Sequence, residues 1–399
     1  MNKSDRKIFG TLFFSIFAAV TGVGVVVPLL PVYAHDLGAS GFYIACIFGA
    51  FSFSRTIFLP YFGRLSDKKG RKMLIVMGLM FYAIISMAFL FARNIETLIG
   101  VRLLQGVASA MILPVTQAYV GDITPSGQEG WVMGLFNMSV FLGLSLGPLI
   151  GGIINDVFSL NAAFLCMGVM ALAGFFASII FLPPMKSEKI IVHTRGITKW
   201  TVLLGDMDII GLFIFRFSYA TCIGIIWGFL PVYADDMMSI SSSSIGFLVM
   251  LGVAVSGLLQ VPMGYLADRI NKTAMVVFGG LISVCAFAVY VHASGYGDLF
   301  LANLLFGIGG GVSMPSLMAL ILIKGEKKEA MGAVMGIITM AHSFGMLIGA
   351  FVAGVMMDFY KLNLSFLLGA VIMMFGVVFF LFCSCKKADS YLDKDDFLK

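Results

Sequence analysis

The chain has 399 residues, 60% hydrophobic and only 12% charged, against about a quarter charged in an ordinary soluble domain. That composition excludes a soluble globule and marks a membrane protein. The net charge of +5 is spread over short connections rather than gathered on one basic face, which argues against nucleic acid as a partner.

A bilayer core takes about 20 apolar residues per helix. Twelve such runs follow one another, at 8–34, 41–62, 73–92, 97–119, 131–154, 162–183, 209–234, 244–266, 274–293, 299–323, 332–357 and 365–383. The first follows Lys3, Arg6 and Lys7 and is too long for a signal-peptide core, so it reads as an uncleaved span. Of the 26 Lys and Arg, 21 fall at the termini or in the connections after even-numbered spans, and only Arg93 and Lys361 fall in the others. By the positive-inside rule both termini lie in the cytoplasm of a multi-pass inner (plasma) membrane protein. The six cysteines lie within apolar runs or at the end of the last one, so the chain offers neither a disulfide framework nor zinc spacing. No metal and no cofactor is expected.

The longest internal polar segment, Pro183 to Asp208, divides the spans into two sets of six, and the halves resemble each other. LPVYAHD at Leu30 returns as LPVYADD at Leu230, and GRLSD at Gly63 as GYLAD at Gly264. Met133, Gly134, Gly143 and Gly147 match Met335, Gly336, Gly345 and Gly349 at a constant offset of 202. Duplicated halves are the usual construction of carriers that rock about a central site. The expected organisation is a bundle over 1–183, a cytoplasmic linker over 184–208, a second bundle over 209–385 and a cytoplasmic tail over 386–399.

Between the second and third spans lies GRLSDKKGRK, Gly63 to Lys72. Two adjacent antiparallel helices joined this tightly need a sharp turn, which Gly63 and Gly70 permit, while the cations hold the loop at the anionic membrane face. Asp67 is the residue an anchored turn does not need; a carboxylate there can cap a helix or pair with an arginine. The stretch resembles the loop motif of the major facilitator superfamily of secondary transporters. That resemblance implies an all-α fold of twelve transmembrane helices in two pseudo-symmetric six-helix bundles. It also implies a conformational latch in which Asp67 engages the start of span eleven and Arg71 pairs with an acid at the end of span four, here Asp122. In the second copy Asn271 and Lys272 replace the glycine and arginine, so only Gly264, Asp268 and Arg269 carry over and a weaker or purely structural latch is expected.

The fourth span reads VRLLQGVASA, placing Arg102, Gln105, Ser109 and Thr116 on one helix face. A polar stripe in a membrane helix usually faces a water-filled cavity, with snorkelling to the surface as the alternative for Arg102. The fifth span reads GLSLGPLIGG. Gly143, Gly147 and Gly151 form a close-packing face, and Pro148 removes a backbone hydrogen bond. With Gly152 this run resembles the motif of the exporter branches of the superfamily, particularly the drug:proton antiporters, and the fourth-span motif resembles the same branch. The resemblance implies efflux.

Arg55 and Arg216 lie eight residues inside the spans that end at Gly63 and begin at Asp208, about 12 Å deep. All 21 acidic residues fall in loops or at helix ends, whereas many antiporters of this branch carry an acid in the cavity. A cavity with arginines and no acid favours an anionic or zwitterionic substrate. Proton coupling, where the carrier uses it, then rests on His342, the one deeply placed group that titrates near neutral pH, on a peripheral acid such as Asp36, Asp122 or Asp236, or on the substrate itself. Asn137, Tyr219, Gln260 and Asn303 complete the expected cavity set, with interhelical bonding as their alternative role. The expected function is a proton-coupled exporter of small amphiphilic or drug-like molecules working by alternating access, not an enzyme, with lipid, protons and a small molecule as partners and a monomeric state. A carrier of the same fold for another metabolite, sugar or lipid is the alternative, and a non-transporting sensor or scaffold the alternative of another class.

Overall fold

The computed structural model of the protein describes residues 3–125, 129–183, 205–328 and 331–395. Every regular element among them is a helix, one of the two arrangements that satisfy all backbone polar groups in lipid. In chain order these are α1 (Lys3–Val26), α2 (Leu29–Asp36), α3 (Gly41–Lys69), α4 (Arg71–Phe91), α5 (Ile95–Ile123), α6 (Glu129–Val157) and α7 (Leu160–Phe181). They continue as α8 (Met207–Met238), α9 (Ser242–Ala267), α10 (Lys272–Val291), α11 (Tyr296–Lys327), α12 (Met331–Phe359) and α13 (Asn363–Asp395). Twelve spans among the described residues are long and apolar enough to cross a membrane, and their ends fall within a few residues of the expected runs. The fold is that of an integral, multi-pass membrane protein. Residues 184–204 of the expected linker lie outside the described residues.

Two features differ from the sequence expectation. The first span is broken into α1 and α2, because Pro28 has no backbone N–H to continue the ladder and the Val27 amide is shared between the Val23 and Gly24 carbonyls at 3.2 and 3.3 Å. Its repeat mate α8 carries Gly228 at the matching point and passes unbroken, with Pro231 inside it. The second difference is the charged loop. Gly63 sits within α3, which continues through Lys69, so the turn is not spread over ten residues but made at Gly70 alone. There φ is +91° and ψ 144°, a conformation that strains any side chain. The second copy solves the same problem differently. Asn271 keeps a negative φ and its side chain accepts from the Ala274 amide at 3.2 Å, capping α10.

The described chain packs as two compact units, one holding α1–α7 with the stretch Trp227–Ala254, the other holding α8 up to Ile226, α9 from Val255, and α10–α13. In the first, α1 packs on α6 and α7, α3 on α5, and α4 on α5 and α7; in the second, α10 packs on α11 and α13. The internal repeat is visible in how glycines seat their partners. Gly147 of α6 lies so close to α1 that a methyl there would come 2.6 Å from the Thr21 carbonyl. Gly349 of α12 meets the Thr221 carbonyl in the same way within the second unit. Thr21 and Thr221 each turn their hydroxyl back to the carbonyl four residues earlier, Phe17 and Phe217, at 2.7 and 2.9 Å. This removes a polar group from the contact and leaves backbone against backbone.

Candidate functional site

In the first unit the polar side chains collect between α3, α4 and α5. Gly106 draws α5 onto α3 so closely that a methyl would strike the Phe51 carbonyl and Ser54 Oγ. Ser54 donates to the Leu103 carbonyl at 2.8 Å. The contact sets Arg102 inside the unit at 5% exposure. Its Nε donates to the Ile47 carbonyl at 3.3 Å, its Nη1 to Gln105 Oε1 at 2.7 Å, and its guanidinium lies over the Phe51 and Phe48 rings at 4.7 and 5.4 Å. Gln105, fully buried, donates on to Met167 Sδ at 3.6 Å. Arg102 therefore neither snorkels nor stands open, since protein atoms supply its partners.

Arg55 differs. It is half-buried, and its Nε lies buried with no acceptor among the described residues. Tyr82, which the sequence reading passed over, bonds Ser109 and lies within electrostatic reach of both Arg55 and Arg102. Its signal was available only through tertiary contact, because one tyrosine in an apolar span reads as wall.

The second unit repeats this contrast. Arg216 on α8 is half-buried; Nη1 meets Met314 Sδ at 2.7 Å, a weak acceptor, and Nε is buried without one among the described residues. Tyr219 stacks flat on Phe306, centroids 5.1 Å apart. Asn303, the repeat mate of Arg102, is 2% exposed and spends its amide on the Leu299 carbonyl of its own helix at 2.9 Å. Gln260 and His342 are half-buried on α9 and α12, Asn137 is exposed on α6, and Asp36 is exposed at the end of α2.

At the end of the spans that carries the basic connections, the first unit brings Arg71 and Asp122 together, Nε to Oδ2 at 2.6 Å, while Arg71 Nη1 donates to Ser66 Oγ at 2.9 Å. The Asp67 side chain lies outside the described residues. In the second unit Asp268 is exposed, and Arg269 turns onto Tyr265 of its own chain segment, 4.1 Å from the ring centroid. The ion pairs there come from elsewhere. Span ten ends in cations where span four ends in Asp122, and Lys324 pairs with Asp208 while Lys328 pairs with Asp206 at 2.7 Å.

Burial pushes the Asp206 carboxyl up, but the hydrogen bond from Lys328 and the charges of Lys324 and Lys328 outweigh it and hold the group below its ordinary value. A depressed folded pKa stabilises the fold fully above the unfolded value, about 3.9, and the contribution fades as pH falls through the folded value. Asp206→Asn is thus expected to lower the melting temperature at neutral pH and to converge with the unaltered protein in acid, as read by thermal unfolding in detergent.

The glycine run of α6 has two working faces. Gly143, Gly147 and Gly151 seat α1 against the backbone of Phe17 to Val25. Gly152, on another face, meets the Ser242 carbonyl at the start of α9, and Gly246 of α9 meets the Pro148 carbonyl. The doubled glycine thus serves two neighbours at once. Beside it Asn155 Nδ2 donates to Ser242 Oγ at 3.0 Å and Asp156 accepts from Ser243. The sequence reading missed Asn155 and Asp156.

Comparison with known proteins agrees with this architecture. The sequence model of the Major Facilitator Superfamily matches residues 12–324 and 209–394. The chain is 30% identical over 369 residues to the uncharacterized MFS-type transporter MJ1560 of Methanocaldococcus jannaschii, covering 90% of this chain and 93% of the relative. It is 28% identical over 370 residues to the quinolone resistance protein NorA of Staphylococcus aureus, covering 89% and 90%. Among solved structures, a point mutant of the nucleoside transporter NupG superposes with a TM-score of 0.80 at 13% identity over 94% of this chain and 99% of that one. The human organic anion transporter MFSD10 superposes with a TM-score of 0.67 at 19% identity over 95% and 100%. The chain belongs to the Major Facilitator Superfamily and is a membrane transporter.

Proposed function

We propose that the protein is a proton-coupled exporter of small amphiphilic molecules, with anionic or zwitterionic substrates preferred, working by alternating access. The observation that carries the substrate class is the pair Arg55 and Arg216, each with a buried Nε–H that no described residue accepts. An unpaired buried donor on a cation is costly, and a substrate carboxylate or phosphate relieves that cost on binding. NorA, named for quinolone resistance, supports the drug-like class at 28% identity. The distribution of Lys and Arg supports cytoplasmic termini in an inner membrane. In this reading Arg71, Asp122 and Asp67, with the turn at Gly70, form the cytoplasmic latch. Asp268 belongs to its weaker mate. Arg102, Gln105, Asn137, Tyr219, Gln260 and Asn303 shape or support the cavity, and His342 or Asp36 carries the proton. The protein works as a monomer.

The test is a thermal-shift comparison of anionic, zwitterionic and cationic amphiphiles on the purified transporter. Carboxylate-bearing ligands are expected to raise the melting temperature, and Arg55→Gln or Arg216→Gln to abolish the rise. Selective stabilisation by cations refutes the reading.

A further inference from the structure

The junction of α6 and α9 is tied by one carboxylate. Asp156 Oδ2 accepts the Ser243 backbone amide at 2.8 Å and also the Ser243 hydroxyl. Ser242 and Ser243 open α9, so the unpaired amides and partial positive charge of that helix end face Asp156. The helix's own nearby candidate, Ser241 Oγ, reaches the Ser244 amide only at 3.4 Å. A charged cap is instead supplied from 87 residues away, on another span. The contacts of Gly152 with Ser242 and of Gly246 with Pro148 bring the two backbones together at the same point. Asp156 itself is exposed, so water competes for it and the tie is weak enough to break in a cycle.

We infer that Asp156 is an outer latch, a positioning residue that holds the outer start of span eight against span five and releases when the outer side opens. This rests on the orientation and alternating access proposed above. The latch is the outer counterpart of the Arg71–Asp122 tie, built from a carboxylate and a helix end instead of an ion pair. The repeat marks the position twice, since the fifth-span offset of 202 carries Asp156 onto Asp358 in α12.

The test places spin labels at Phe158 and Met237, both exposed near the outer ends of α6 and α8, in a background with the six native cysteines replaced. Asp156→Ala removes the acceptor, and Asp156→Asn, the milder change to folding, removes the charge. Each is expected to raise the long-distance population, about fivefold for loss of a charged helix cap. Asp156→Glu restores the short distance, and Ser243→Ala, which keeps the backbone amide, gives a smaller shift. Distance distributions unchanged in both Asp156→Asn and Asp156→Ala overturn the inference. Because the distances are read without substrate, a shift upholds the latch even where the anion reading fails. Transport lost with distances unmoved counts against the latch alone.

Discussion

Replacing Arg102 with alanine lowers stability by roughly 2–4 kcal/mol, because it removes two hydrogen bonds and stacking on two aromatic rings inside a packed unit. Gln105 Oε1 then loses its charged donor in a site that is 0% exposed at Gln105. Replacing Arg55 with alanine does the opposite. Stability changes little or rises, since the donor lost had no acceptor, while transport of an anionic substrate falls about tenfold to a hundredfold, the range for a hydrogen bond to a charged group. Thermal unfolding and proteoliposome flux on the same two preparations separate the roles. Equal losses of stability in both variants would show that Arg55 is structural.

Gly147→Leu abolishes the folded protein. The side chain has to enter a space where even a methyl lies 2.6 Å from the Thr21 carbonyl and 2.7 Å from Gly24 Cα. Backbone cannot give way as a flexible side chain can, so overpacking here costs at least about 3 kcal/mol. Gly134→Ala on the same helix is the control. Nothing lies within 4 Å of its added carbon, and loss of a helical glycine stabilises by about 0.5–1 kcal/mol. Monodispersity on size exclusion with a melting curve checks both; a well-folded Gly147→Leu would contradict the α1–α6 seat.

Span number, span order and the internal repeat were legible in the sequence because apolar length and repeated motifs need no tertiary context. The break at Pro28 was within reach too, since its mate has Gly228, but a single apolar run hides it. Arg102 was less legible. An arginine with glutamine and serine on one helix face reads the same whether that face meets water or the Phe48 and Phe51 rings. The charged loop showed where the chain reverses but not how, because only the backbone angle at Gly70 shows that one residue suffices. Asp156 was missed for another reason. A carboxylate at a helix end looks solvated until the start of α9 is found beside it.

The most direct test of the account is flux of paired dyes, one anionic and one cationic amphiphile of similar size, into everted membrane vesicles under an imposed proton gradient, acid inside. The account predicts that the anionic dye accumulates in the vesicle, that accumulation collapses with the gradient, and that Arg55→Gln and Arg216→Gln each remove it. Accumulation of the cationic dye alone, or anionic flux indifferent to the gradient and to both arginines, would contradict it.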